Sequence, residues 1–184
     1  MKIVIATKNA GKLKEFKELA METPYEFIQI PESIKELPPE TGNSFYENAL
    51  IKAEFISKSL GIPAIGDDSG LEVDALKGQP GIFSARYSKT GLDKDNCLKL
   101  IDNLSGFKLD ERAARFRCSL VGYFEGKIIK SYGTLEGKIA KEFKGKNGFG
   151  YDPIFIPKGK RLTFGEMDPH KKYSMDQRVN AFKK

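Results

Sequence analysis

Apolar and polar positions along this chain group into short strands and amphipathic helices that follow one another as in an α/β fold. Residues 3–6 are a short apolar strand, and from about Gly11 the side chains of Leu13, Phe16, Leu19 and Ala20 recur on one helical face. Residues 25–30 alternate as a second strand. A Pro- and Glu-rich loop over 31–43 leads to Ser44, which opens a helix with Glu47 three residues on as a capping box. Phe45, Ala49, Ala53, Ile56 and Leu60 form the buried stripe of that helix, and Gly61 stops it. Residues 62–65 read as a buried strand, 71–76 as a half-exposed one, 78–81 as a turn and 82–87 as extended chain. Asp93 is placed as the N-cap of a helix reaching about Leu104, with Cys97 or Leu98, Ile101 and Leu104 inward. On the next strand Phe116 and Cys118 face one way and Arg115 and Arg117 the other. Glu125-Gly126 turns that strand back into a hairpin over 127–135, and 154–156 form a last strand. Thr163 with Glu166 and Ser174 with Gln177 are two further capping boxes, the second leading into a helix with Val179, Ala181 and Phe182 that ends at Lys184. No repeat or linker divides the chain, so residues 1–184 are read as one domain whose β-rich central part, about 71–140, forms a second lobe.

Three stretches stand out from this pattern. Gly66-Asp67-Asp68-Ser69-Gly70 delivers two adjacent carboxylates onto a turn at the end of a buried strand. Adjacent acids repel, and a divalent cation would offset the repulsion while acidifying a bound water. The plainer alternative is an acidic turn whose Asp and Ser bond their own backbone. Thr7-Lys8-Asn9-Ala10-Gly11-Lys12 joins a strand to a helix start. Free N–H groups there suit a phosphate and the lysines add charge, although the spacing is not that of the Walker motif. The alternative is a capped helix start with exposed lysines. Gly145-Lys146-Asn147-Gly148-Phe149-Gly150-Tyr151-Asp152-Pro153 is a tight loop whose rings either stack on a nucleobase or pack into the core. Asn48 and Lys52 lie one turn apart beside the buried stripe, and spacing alone favours a solvated flank over a cleft.

Composition narrows the classes. With 184 residues, 40% hydrophobic and 30% charged, the chain is an ordinary globular domain. No apolar run approaches the about 20 residues that cross a bilayer, and no signal-peptide pattern opens the chain. A soluble, cytoplasmic protein is expected. Cys97 and Cys118 share no metal-ligand spacing and His170 is the only histidine, which argues against zinc or a His-based triad. The net charge of +6 is scattered over helix faces and turns, which favours surface charge with a local anion site over a nucleic-acid track.

Together the three stretches describe a metal-dependent enzyme acting on the phosphates of a nucleotide. At this point the chain resembles the inosine triphosphate pyrophosphatase family. The resemblance is carried, in order, by residues 7–12, Glu40-Thr41-Gly42, Glu47-Asn48-Ala49 with Lys52-Ala53, Asp67-Asp68-Ser69-Gly70-Leu71, Pro80-Gly81 with Ser84-Ala85-Arg86-Tyr87, and Gly148-Phe149-Gly150-Tyr151-Asp152-Pro153. It implies an elongated two-lobed α/β fold with a mixed, twisted sheet flanked by helices and the active site in the cleft between lobes. It also implies a homodimer and hydrolysis of a small-molecule substrate, ITP, dITP or XTP, to the monophosphate and pyrophosphate with Mg²⁺. Asp68 matches the catalytic base and a metal ligand, and Glu40 the second acidic metal position. Thr7, Lys8, Asn9, Ala10, Gly11 and Lys12 match the triphosphate loop, with Lys52 neutralising charge and Ser69 touching substrate. Phe149, Gly150, Tyr151 and Asp152 match the base-binding loop, and Lys172 and Arg178 match basic residues that contact the base.

One departure is visible. The family commonly has Ser-His-Arg where this chain has Asp176-Gln177-Arg178, and Gln177 cannot titrate as His does, though it can still donate and accept at a base edge. Two other functions stay open on the residues alone: a phosphohydrolase or pyrophosphatase for another nucleotide, and a basic nucleic-acid-binding module. The second leaves the paired acids unexplained.

Overall fold

The first apolar run forms β1 (Lys2–Ile5), and Ile3, Val4 and Ile5 are buried because the strand has a neighbour on each side. It pairs in parallel with β2 (Glu26–Gln29) and with β3 (Ala64–Val73). These and β4 (Ala113–Phe124), β5 (Lys127–Ile139) and β6 (Phe155–Pro157) make a six-stranded sheet of order β2-β1-β3-β4-β5-β6. The sheet is mixed, since β6 runs antiparallel to β5. Among the described residues, five α-helices accompany it: α1 (Ala10–Ala20), α2 (Phe45–Leu60), α3 (Asp93–Asn103), α4 (Pro169–Tyr173) and α5 (Gln177–Phe182). The α/β fold is as expected. This computed structural model describes residues 1–183; Lys184, the expected end of the last helix, lies outside them. No helix among the described residues is long and apolar enough to cross a membrane.

Two compact units are built from this chain. One comprises Met1–Asp68, Cys118–Gly133 and the chain from Arg178 onward; the other comprises Ser69–Arg117 and Thr134–Gln177. In the first, Ile5, Phe16, Leu19, Cys118 and Leu120 form one apolar cluster, and Val4, Ile56 and Ala64 another. In the second, Leu71, Val73, Leu100 and Leu104 pack with Phe116, Phe155 and Phe164, whose rings contact one another. Cys97 rather than Leu98 faces this core.

The main correction concerns the two acids. Residues 66–70 are not a turn: β3 runs unbroken from Ala64 to Val73, with Asp67 and Asp68 in its middle. Successive side chains of a strand point to opposite faces, so Asp67 and Asp68 diverge and each meets its own counter-charges. Adjacency in sequence therefore does not produce a carboxylate pair.

Several local readings also change. Residues 82–87 are not extended; Gly81–Arg86 is a 3₁₀ helix, closed where the Ser84 hydroxyl donates to the Gly81 carbonyl at 2.6 Å and accepts from the Leu71 amide at 2.9 Å. Asp93 is not the N-cap of α3; Leu92 holds that position, and the Asp93 carboxylate accepts from the Gly150 amide at 2.7 Å. Thr163 and Glu166 make their capping-box bond, but only a turn follows. Ser174 closes α4 instead of opening α5, and α4 itself, five residues capped by Asp168, is too short for periodicity to announce.

Candidate active site

The site in the first unit starts from a missing side chain. A Cβ on Gly66 would overlap the Ala49 carbonyl, so only glycine lets the backbone of α2 lie this close to β3. That approach carries Asn48 and Lys52, one turn apart on α2, against Asp68, two residues further along the same strand face. Both are buried, at 0% and 5% exposure, so the solvated flank favoured by their spacing is wrong. Asn48 donates from Nδ2 to Asp68 Oδ2 at 3.1 Å and accepts from the Gly42 amide at 2.8 Å, which ties the Glu40-Thr41-Gly42 loop to Asp68. Lys52 Nζ lies 2.6 Å from Glu40 Oε1 and 3.8 Å from Asp68 Oδ1. Burial raises the Asp68 pKa above the usual carboxylate range; Lys52 and Lys12 pull it back down, as does Asn48, while Glu40 adds to the rise.

Whether Glu40 and Asp68 suit a metal is decided by their chemistry. Both offer hard carboxylate oxygens, and Lys52 already bridges them as a cation in the place of a metal's charge. No group of three or more His, Cys, Asp or Glu side chains that could hold a metal occurs among the described residues. A pair of carboxylates completed by substrate phosphates and water is the arrangement magnesium favours, so the residues fit.

On the opposite face of β3, Asp67 is fully enclosed. Lys12 pairs with its Oδ1, Arg178 donates from Nε to Oδ2 at 2.6 Å, and Cys118 Sγ lies 3.4 Å from Oδ2. Arg178 also pairs with Glu15. Burial lowers the Arg178 pKa to about 9, and the two bonded carboxylates keep it cationic at neutral pH. Asp67 is thus occupied by two cations. Glu15 escaped the sequence reading; its one signal is a carboxylate one turn before Leu19, inside the buried stripe of α1.

The loop over residues 7–12 joins β1 to α1 as expected. Thr7 is buried and accepts from the Asn9 amide at 3.2 Å, and Asn9 caps α1 by accepting from the Lys12 amide at 3.0 Å. Ala10 and Gly11 form the first turn of α1. Lys8 is exposed and reaches the Lys35 carbonyl. A cavity of about 330 Å³ opens against Thr7 and Lys8 and is also lined by Gln29, Glu32 and Lys35.

The second unit holds the glycine-aromatic loop. Asp152 Oδ2 accepts from the Phe149 amide at 2.8 Å and from Lys172 Nζ at 2.7 Å. That ammonium lies 4.7 Å from the Phe149 ring centre and 5.4 Å from that of Phe164. Burial pushes the Asp152 pKa up and Lys172 draws it down. The two rings have different fates: Phe149 is half-buried, whereas Tyr151 joins the core and donates its hydroxyl to the Ser84 carbonyl at 2.8 Å. Gly150 follows Phe149 with φ +58°, a conformation suited to glycine. Ser69 is half-buried in β3, and Gln177 is buried at the start of α5. Arg178, although next to Gln177 in the chain, belongs to the Asp67 and Glu15 cluster of the first unit.

The chain is similar to known proteins over its whole length. Residues 3–184 match the Ham1 family. Over 186 residues the chain is 44% identical to a dITP/XTP pyrophosphatase of Bacillus subtilis strain 168, covering 98% of this chain and 93% of that protein. A dITP/XTP pyrophosphatase of Desulforamulus reducens is 45% identical over 193 residues, covering 100% of this chain and 93% of the other. The structure of a HAM1 protein from Coxiella burnetii superposes with a TM-score of 0.89 at 38% identity, over 100% of this chain and 95% of that one. The shared fold and the end-to-end match place this chain in the Ham1 family.

Proposed function

We propose that this chain is a nucleoside-triphosphate pyrophosphatase that hydrolyses non-canonical purine nucleotides (ITP, dITP and XTP) to the monophosphate and pyrophosphate, clearing them from the nucleotide pool. The observation that carries the reading is the seating of Asp68 by Asn48 and Lys52, with Glu40 on the same lysine, in a chain whose relatives are dITP/XTP pyrophosphatases.

Asp68 is the base. Its burial raises the carboxylate toward the range in which it holds a proton from water, and Asn48 fixes the carboxylate's rotation. A magnesium ion held by Glu40 and Asp68 would neutralise phosphate charge and acidify a bound water. Lys8, Lys12 and Lys52, with the helix-start amides of residues 10 and 11, gather the triphosphate and share the charge of the departing pyrophosphate. Asp67, itself fixed by Arg178, holds Lys12 at its post.

For the base, Phe149 offers a stacking face and Lys172, a base-contacting position by the family resemblance, offers beside that ring a donor for a purine 6-oxo group. Adenine presents an amino group there and leaves that donor unpaired, a mismatch that can give rejection of ~10⁴-fold. Asp152 keeps Lys172 beside the ring. The same resemblance implies magnesium as the ion and a homodimer as the assembled form, and the composition is that expected of a cytoplasmic protein. Turnover of ITP, dITP, XTP, ATP and GTP, each with and without Mg²⁺, tests the reading. Mg²⁺-dependent loss of the first three alone supports it, and equal turnover of ATP overturns it.

A further inference from the structure

Lys52 is asked to hold two positions. In the proposed reaction, on which this inference rests, its ammonium faces phosphate; in the free chain it lies 2.6 Å from Glu40 Oε1 and 3.8 Å from Asp68 Oδ1. The residue is 5% exposed, so its charge is held mainly by these carboxylates rather than by water. Of the neighbouring cations, Lys12 also acts on Asp68, but it and Arg178 make their ion pairs with Asp67 on the opposite face of β3. Without Lys52, the buried Asp68 carboxylate and the partly exposed Glu40 would lose much of their neutralisation, which is costly for the buried one. A cation arriving at the carboxylates would therefore favour the departure of Lys52 toward a phosphate.

We infer that Lys52 is an internal stand-in for the metal, a movable counter-ion that neutralises Glu40 and Asp68 in the free protein and turns to the phosphates when a divalent cation takes its place. A lysine suits this exchange, being a point charge on a flexible stem with no fixed bidentate geometry. The contacts are also unequal. The ammonium leans on Glu40 and touches Asp68 only loosely, so the base is held by Asn48 while the lysine moves. Two consequences follow. Metal binding to the nucleotide-free protein is weakened by competition with Lys52, and phosphate binding strengthens metal binding by giving the displaced ammonium a partner.

Mn²⁺ binding to nucleotide-free protein, followed by electron paramagnetic resonance, tests this in the wild type and in Lys52→Met. The variant is expected to bind Mn²⁺ about tenfold or more tightly, the scale of a typical coupling between sites. Equal or weaker binding in a variant that still melts cooperatively overturns the inference. Should Lys52→Met fail to fold, acetylation of Lys52 in the unsubstituted protein, read by peptide mass spectrometry, decides the matter. Labelling should rise severalfold on adding Mg²⁺ alone and fall again with inorganic pyrophosphate; labelling indifferent to Mg²⁺ overturns the exchange. Neither readout involves turnover. A wild type that hydrolyses ITP while Lys52→Met binds Mn²⁺ no tighter loses this inference and keeps the function. A wild type that hydrolyses none of the nucleotides loses the function whatever the metal does.

Discussion

The guanidinium of Arg178 donates from Nε to Asp67 Oδ2 at 2.6 Å, and both side chains are closed off from solvent. Through this bond α5 holds the strand residue that in turn holds Lys12 of α1. Truncating one member of a buried charge pair leaves the other uncompensated, at a cost of about 3–5 kcal/mol. Arg178→Met should lower the stability of the protein by that order in urea unfolding. Arg178→Lys should recover only part of it, since lysine cannot serve Asp67 and Glu15 with one planar fork. Full recovery by lysine would show that only the charge matters.

Asp68→Asn keeps the shape of the side chain and removes both the base and one carboxylate for the metal. Turnover should fall to the background rate while nucleotide binding, measured by calorimetry, persists. Retention of most activity would remove Asp68 from the role of base. In the wild type, the acid limb of kcat/KM should lie above the range of an ordinary aspartate, because burial raises this group. Asn48→Ala should move it higher still, since the lost hydrogen bond favoured the ionised form. A limb that moves down in Asn48→Ala would contradict the assignment.

Lys172 answers to two measurements. Lys172→Ala should raise KM for ITP more than it lowers kcat if the residue binds the base; the reverse pattern would put it in transition-state stabilisation. Stability carries a pH signature as well. Burial keeps the folded pKa of Asp152 above its unfolded value even beside Lys172, so stability is lost as pH rises through the folded value. Lys172→Met removes the largest influence drawing that pKa down. The variant should therefore lose more stability relative to wild type at pH 8 than at pH 5. Equal losses at the two pH values would show that Asp152 is not the group involved.

Gly66 lies under α2, where a Cβ would overlap the Ala49 carbonyl and stand 3.0 Å from the Ala53 amide nitrogen. Gly66→Ala should cost about 1–3 kcal/mol as overpacking and shift α2 with Asn48 and Lys52 away from Asp68. Activity should fall further than stability alone explains. A variant with full activity in thermal assays below its melting point would mean that this approach does not position the site.

Much of this was legible in the sequence because local chemistry and tertiary structure agree. The buried stripe of α2 and its Gly61 stop, the start of α1 close to Gly11 and the Glu125-Gly126 hairpin all follow from periodicity and turn chemistry. The failures share a cause. Asp67 and Asp68 look like a turn because acids and glycines favour turns, yet β3 continues through them once partners on both faces satisfy the charge. Asn48 and Lys52 look solvated because helical spacing cannot reveal that Gly66, in another element, brings the strand up to them. Glu15 and Arg178 are 163 positions apart, and no local pattern links them.

Separation of the products of ITP hydrolysis with Mg²⁺ by ion-exchange chromatography tests the central claim most directly. The account predicts IMP and pyrophosphate in equal amounts, with no orthophosphate until an inorganic pyrophosphatase is added. IDP with orthophosphate from the start would contradict it, leaving the acidic site in place and moving the point of cleavage.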